Sequence, residues 1–266
     1  MIKVLVSGAA GRMGREVLKT IWNADDTELV AAVDPPAAGE DAGSLMGIGS
    51  IGLDVKADLT AALESSRPDV MVDFTTPRTV FENTIIALEK GVRAVVGTTG
   101  LSTAEIQKIK DTASGLRTGC IVAPNFAIGA LLMIRFAAEA CKYFPHVEII
   151  ELHHDQKLDA PSGTAVKTAE VIAAKRGDFN QGSPLEVENI PGARGGDFSG
   201  GIRIHSVRLP GLVAHQEVIF GGLGQTLSIR HDSISRESFM PGVLLAVRKV
   251  MGLKEAVYGL ENIIFE

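Results

Sequence analysis

A chain of 266 residues makes one large domain or two ordinary ones, and its 45% apolar and 22% charged residues exclude a disordered polymer. Lys and Arg total 26 against 32 Asp and Glu; the net charge of −6 argues against a nucleic-acid partner and requires any small anion to be held by a local positive site. Aromatic residues make up only 5%, so the core must be built mostly from Val, Ile, Leu and Ala.

The chain enters a strand at once, Ile2-Lys3-Val4-Leu5-Val6, with no basic segment followed by an apolar one. No secretory leader is therefore expected, and a cytoplasmic location follows. The longest apolar stretch, Phe126 to Ile134, stops at Arg135, well short of the ~20 residues that cross a bilayer, so no membrane partner is expected. Short β-rich runs are predicted at Lys3–Ser7, Glu28–Asp34, Val70–Phe74, Arg93–Gly97 and Gly119–Pro124. Helical segments are predicted between them at Gly11–Trp22, Asp58–Glu64, Pro77–Lys90 and Ser102–Ser114. This alternation, with strands that read as nearly continuous apolar runs, predicts a Rossmann-type α/β unit with a doubly wound parallel sheet covered on both faces.

Beyond Asn125 the pattern changes. A helix at Ala127–Tyr143 leads to a strand at His146–His153, and a second helix follows at Ser162–Arg176. The glycine-rich stretch Gly192–Gly201 suits a mobile surface loop. Three further strands, Ile202–Leu209, Val213–Phe220 and Gln225–His231, are separated by Pro210-Gly211 and by Gly221 to Gly224, turns that predict antiparallel neighbours. A last helix is predicted at Arg236–Val250. The expected organisation is a dinucleotide-binding domain, residues 1–126 plus 235–266, and a second α+β domain on a mixed, open sheet, residues 127–234. Cys120 and Cys141 lie in apolar stretches without zinc-like spacing and are expected as reduced core residues.

Gly8-Ala9-Ala10-Gly11-Arg12-Met13-Gly14 follows the first strand and opens a helix. Gly8 permits a tight turn, Gly11 lets the backbone approach a pyrophosphate, and Gly14 allows the helix to pack on the sheet. The amides and dipole at the helix start then attract phosphate. Asp34 ends the second strand, where it can accept hydrogen bonds from an adenosine ribose. Arg12 can reach a 2′-phosphate whereas Asp34 repels one, and Pro35-Pro36 offers no basic neighbour. NADH is therefore expected to serve at least as well as NADPH. Gly97-Thr98-Thr99-Gly100 and Ala123-Pro124-Asn125-Phe126 also lie at carboxyl ends of parallel strands. They are candidates for the nicotinamide end, through Gly97, Thr98 and Thr99 and through Ala123, Pro124, Asn125 and Phe126.

The segment from Glu151 to Ala165 carries the chemistry. His153 and His154 end a strand, Lys157 follows, and a helix begins at Ser162-Gly163-Thr164. A histidine can take or give a proton near neutral pH, and Lys157 supplies positive charge or a second acid. Ser162 is the expected helix cap, which leaves the amides of Gly163 and Thr164 to bind a carboxylate that Gly163 admits without a Cβ in its way. His153, His154 and Asp155 do not read as a metal site: Lys157 would repel a cation and no third His or Cys is near, so no metal is expected.

On these residues the sequence resembles the 4-hydroxy-tetrahydrodipicolinate reductase family, long called dihydrodipicolinate reductases. The motifs that carry the resemblance are Glu151-Leu152-His153-His154, Asp159-Ala160-Pro161-Ser162-Gly163-Thr164-Ala165, the glycine loop, Gly97 to Gly100, Ala123 to Phe126, and Ile204 to Gly211. It covers essentially the whole chain, with Ala127 where a serine is common and Pro35 where a basic residue is often found. The resemblance implies that a cyclic imine dicarboxylate loses water and accepts hydride at ring C4 from NADH or NADPH, in lysine and diaminopimelate synthesis. It implies His153 as acid/base, Lys157 as proton donor, His154 as a substrate contact, and Gly163 and Thr164, beside Ser162, as holders of a substrate carboxylate. It also implies a homotetramer assembled through the second domain's sheet, with the C-terminal helix returning to the nucleotide domain.

Other enzyme classes fail on single residues. A short-chain dehydrogenase needs a Tyr with a Lys four positions later, but Tyr143 and Tyr258 are followed there by Val147 and Asn262. A semialdehyde dehydrogenase needs a nucleophilic Cys after an Asn, but Asn125 precedes Phe126. A non-catalytic NAD(P)-binding sensor with a partner-binding second domain has no use for His153, His154 and Lys157 together.

Overall fold

The computed structural model describes residues 1–177, 179–183 and 185–265. In chain order the elements are β1 (Ile2–Ser7), α1 (Arg12–Asn23), β2 (Thr27–Val33), α2 (Ala42–Met46), α3 (Leu59–Ser66), β3 (Val70–Asp73), α4 (Val80–Glu89), β4 (Arg93–Val96), α5 (Thr103–Leu116) and β5 (Cys120–Val122). There follow α6 (Ile128–Ala140), β6 (His146–His153), α7 (Gly163–Arg176), β7 (Gly196–Asp197), β8 (Arg203–Arg208), β9 (Ala214–Gly222), β10 (Gln225–Ser233), α8 (Met240–Val250), β11 (Ala256–Tyr258) and α9 (Glu261–Ile264). The chain divides into two units, Met1–Ala127 with Phe239–Glu266, and Ile128–Ser238.

The first unit holds a sheet in the order β11-β5-β4-β3-β1-β2, with every pairing parallel. Val4, Leu5, Val6, Val70, Met71, Val72, Ala94, Val95 and Val96 are all fully buried, which is why these strands carry no polar alternation. Helix α1 buries Gly14, Val17, Leu18 and Ile21, one face at the helical repeat. Helix α5 starts on a capping box in which Ser102 and Glu105 exchange hydrogen bonds. Because β1 pairs with β2 on one side and β3 on the other, the strand order reverses at β1, and the glycine loop leaves its carboxyl end at that reversal. The sixth strand, β11, is not anticipated in the sequence. Three partly exposed residues at a sheet edge are too short a run to stand out, and only pairing with β5 identifies them.

The second unit is a mixed sheet in the order β10-β9-β6-β8-β7. Strand β6 pairs parallel with β8 and antiparallel with β9, and the remaining pairings are antiparallel. The expected pairing of β8 with β9 does not occur, because β6 lies between them. A Pro-Gly turn reverses the chain without requiring adjacency, and the five residues from Leu209 to Val213 readily span two strand spacings of about 4.8 Å each. Within Gly192–Gly201, predicted to be loop throughout, Gly196–Asp197 pairs with β8 and Ser199–Gly201 makes a single 3-10 turn. Positive φ at Gly195 (+73°) and Gly200 (+71°) lets the chain fold back on itself there.

Helices α6 and α7 cover one face of this sheet. Met133, Ala137, Cys141, Ala165, Ala169 and Ile172 pack on Val147, Ile149, Ile204, Val218 and Phe220. Each fully buried aliphatic side chain of this kind contributes about 1.5–3 kcal/mol. The other face carries half-buried Ile150, Leu152, Val207 and Ile219 among charged residues. Cys120 and Cys141 are both buried and unpaired, and burial pushes the Cys120 thiol up to about 12.

Candidate active site

At the glycine loop, Gly8 adopts φ +80°, and a Cβ there would lie 2.5 Å from the Phe74 carbonyl oxygen, so only glycine fits. A Cβ on Gly14 would lie 1.9 Å from the Gly8 carbonyl oxygen, so this glycine seats the helix on the loop itself rather than on the sheet. Gly11 is less constrained, its nearest atom lying 3.2 Å from a Cβ position. The loop's own amides are largely used internally. Gly8 and Ala9 donate to the Val33 carbonyl (2.8 and 3.1 Å), Gly11 donates to the Gly8 carbonyl (3.1 Å), and Ala10 donates to Asp34 Oδ2 (2.9 Å). Helix α1 has no side-chain cap, which leaves first-turn amides, those of Arg12 and Met13 among them, available to an anion. Asp34 fastens the loop through one carboxylate oxygen, Oδ2. These features fit a dinucleotide pyrophosphate and its ribose.

Thr98 donates from Oγ1 to Asp73 Oδ1 at 3.0 Å. Asp73 is fully buried at the end of β3 and also accepts from Thr75 N (3.0 Å), Thr75 Oγ1 (2.7 Å) and Asn83 Nδ2 (2.9 Å). It was not singled out from the sequence; an acid closing the apolar run Val70-Met71-Val72 is the signal that marks it. Gly97 packs against the Phe74 ring, 2.2 Å from a Cβ position. Asn125 Oδ1 accepts the Ala127 amide at 2.8 Å, and the Phe126 ring is buried on Phe74 at 5.8 Å between centroids. Phe126 therefore contributes to the interior, while Asn125 is half-buried and Pro124 exposed.

In the second unit the site is organised by Glu151, which is fully buried on the covered face of β6. Arg208, on the adjacent β8, grips it with two hydrogen bonds, Nη1 to Oε2 at 2.8 Å and Nη2 to Oε1 at 2.7 Å. The same carboxylate accepts the Ser162 amide on Oε1 (3.2 Å) and meets His153 Nδ1 on Oε2 (2.5 Å). Burial pushes the Glu151 carboxyl up, but the hydrogen bonds led by Arg208 outweigh it and hold the group below its ordinary value, so it stays ionised. Burial lowers His153 from its ordinary 6.5. The Glu151 bond opposes that shift, and the charges of Lys157 and Arg208 add to it. The imidazole is therefore neutral near pH 7. Neither Glu151 nor Arg208 was given a role from the sequence. The signal was a charged residue at a core-facing position, since Val147, Ile149 and Glu151 share one face.

The remaining predicted residues divide by location. Lys157 is only partly exposed and pairs through Nζ with both Asp159 oxygens (2.8 and 2.9 Å). His154 is exposed just past the end of β6, outside the Glu151 cluster. Ser162 is buried, and its Oγ accepts the Ala165 amide at 3.2 Å, so it caps α7 while the first-turn donors that face outward belong to Gly163 and Thr164. Gly163 is exposed, with no atom within 4 Å of a Cβ position.

The fold and these sites define a Rossmann-type protein carrying a second, mixed-sheet unit. An amine dehydrogenase from Mycobacterium smegmatis shares that fold at 15% identity, with a TM-score of 0.68 over 98% of this chain and 95% of its own. The family models described as dihydrodipicolinate reductase, N-terminus, and dihydrodipicolinate reductase, C-terminus, match residues 2–126 and 129–264. The chain belongs to the dihydrodipicolinate reductase family. A 4-hydroxy-tetrahydrodipicolinate reductase from Desulfitobacterium hafniense (strain DSM 10664 / DCB-2) is 57% identical over 98% of each chain, and one from Synechocystis sp. (strain ATCC 27184 / PCC 6803 / Kazusa) is 54% identical over 99% of this chain and 98% of its own. The solved structure of a dipicolinate-bound dihydrodipicolinate reductase from Paenisporosarcina sp. TG-14 is 50% identical, with a TM-score of 0.88 over 99% of this chain and 100% of that one.

The charge coupling at the site is open to measurement. Followed by NMR, the His153 titration is expected below 6.5. Lys157→Met is expected to move it upward, because a positive charge that disfavours the imidazolium is gone. An unchanged or lower midpoint would exclude the coupling.

Proposed function

We propose that the protein reduces 4-hydroxy-tetrahydrodipicolinate to tetrahydrodipicolinate with NADH or NADPH, in lysine and diaminopimelate synthesis. Family membership over nearly the whole chain supports this reading. The observation that carries it in the structure is the Glu151 carboxylate, which joins a neutral histidine to the start of a helix with open amides. A bound reduced nicotinamide supplies the hydride. The amides of Arg12 and Met13 hold the pyrophosphate and Asp34 accepts from the adenosine ribose. Thr98, its proton committed to Asp73, offers a lone pair to a carboxamide N–H.

In the second unit, Gly163 and Thr164 hold one carboxylate of the dianionic substrate at the positive end of α7, and Lys157 adds charge once it releases Asp159. His154 supplies a further contact. Loss of the 4-hydroxyl as water leaves a conjugated imine. Addition at C4 makes an electron-rich enamine that must take up one proton, which His153 delivers from Nε2 when protonated. Asp34 and the absence of a basic residue at Pro35 favour NADH at least equally with NADPH, and no metal takes part.

The second unit is also the oligomerisation domain of a cytoplasmic homotetramer. Support comes from β10, a nine-residue edge strand exposed along most of its length, and from the uncovered sheet face with Ile150, Leu152, Val207 and Ile219.

Steady-state kinetics with both nucleotides, on substrate generated from pyruvate and aspartate semialdehyde, test the activity; nucleotide binding without oxidation would favour a sensor instead. His153→Ala and Lys157→Ala are each expected to lower turnover by about 10²–10⁴-fold with nucleotide affinity nearly unchanged. Gly163→Ala meets no protein atom, so its stability should match the wild type while the substrate KM rises. An unchanged KM would remove this helix start from the substrate site. Sedimentation at four times the chain mass is expected, and a monomer would overturn the assembly.

A further inference from the structure

We infer that Glu151 is a positioning residue that sets the tautomer of His153 and thereby selects the ring nitrogen that handles the proton. This deepens the reading above and rests on its assignment of His153 as the proton-exchanging group.

Glu151 is fully buried, and Arg208 occupies both of its oxygens from one side. A carboxylate held in that grip is an acceptor only. His153 Nδ1, 2.5 Å from Oε2, must therefore carry the hydrogen, which leaves Nε2 as the bare nitrogen of the neutral ring. The opposite oxygen, Oε1, accepts the Ser162 amide that opens α7. One carboxylate thus fixes both the proton-exchanging nitrogen and the first turn that presents Gly163 and Thr164. Arg208 is itself tied back to the carbonyls of Val207 and Asp159 (2.8 Å each), so the grip is anchored at both ends.

The geometry makes a sharp prediction for Glu151→Gln. Its amide NH2 group cannot occupy the Oε1 position, where Arg208 Nη2 and Ser162 N both donate. It takes the Oε2 position, where the flexible Arg208 Nη1 gives way more readily than a backbone amide, and donates to His153 Nδ1; the Ser206 hydroxyl, which also bonds the carboxylate, can turn to accept. That inverts the ring to the Nε2–H tautomer and blocks the nitrogen needed for proton uptake and release. Ring-¹⁵N-labelled histidine, with His153 assigned by comparison with His153→Ala, reads the tautomer directly at a pH where the ring is neutral. The wild type is expected to be Nδ1–H. Glu151→Gln is expected to be Nε2–H with turnover lowered by about 10²-fold or more and the nucleotide KM unchanged.

An Nε2–H wild type would overturn the inference without any variant, so it stays testable if Glu151→Gln fails to fold. A folded Glu151→Gln that keeps the wild-type tautomer, or inverts it with full turnover, would also overturn it. Full turnover in His153→Ala would instead refute the assignment of His153 and leave the tautomer measurement standing.

Discussion

A buried carboxylate on β6, at the start of α7, is the constraint around which the second unit is built. Burying an ionised Glu without partners is prohibitive, and removing one partner of a buried pair costs about 3–5 kcal/mol. Glu151 is tolerated because hydrogen bonds converge on it from Arg208 twice, from Ser206 beside it on β8, from Ser162 and from His153. The donors come from different parts of the unit: β8, the cap of α7, and the end of β6. Satisfying one charge therefore brings together a strand pairing, a helix start and an imidazole that are separate in the chain. A polar cluster of this kind is weak evidence for stability but strong evidence for a defined geometry, since every member loses its partner if one is displaced.

The first unit follows the same accounting by other means. Its central strands are buried on both faces, so polar side chains gather at the strand ends, and Asp73, Thr98 and the glycine loop lie at the carboxyl ends. The loop satisfies the amides of Gly8 to Gly11 within the protein, and the first turn of α1 carries no side-chain cap. Asp34 braces the loop through Ala10. An anion site in an acidic chain thus depends on a helix start and on directed amides rather than on net charge.

Much of this was legible in the sequence. The apolar runs and intervening helical repeats predicted the parallel sheet, the helix cap at Ser162, and the strand His146–His153 to the residue. What escaped was of two kinds. Short edge elements such as β11 carry too few residues for a pattern. The pairing of β6 between β8 and β9 is a matter of which strands bury which faces, and a Pro-Gly turn records only a change of direction.

The residue types and spacings by themselves determined the class of fold, the helix starts after the glycine loop and at Ser162, and the presence of a histidine and a lysine close to the second of them, because each is a local property of a few neighbouring residues. Only the tertiary structure decided that Arg208, 57 positions from Glu151, holds its charge. It also decided that the Ser162 cap is buried and tied to Glu151, that Phe126 belongs to the interior, and that Lys157 is paired with Asp159. The reason is physical: a side chain's charge state and free valences depend on what surrounds it in space, and sequence neighbours supply only part of that environment.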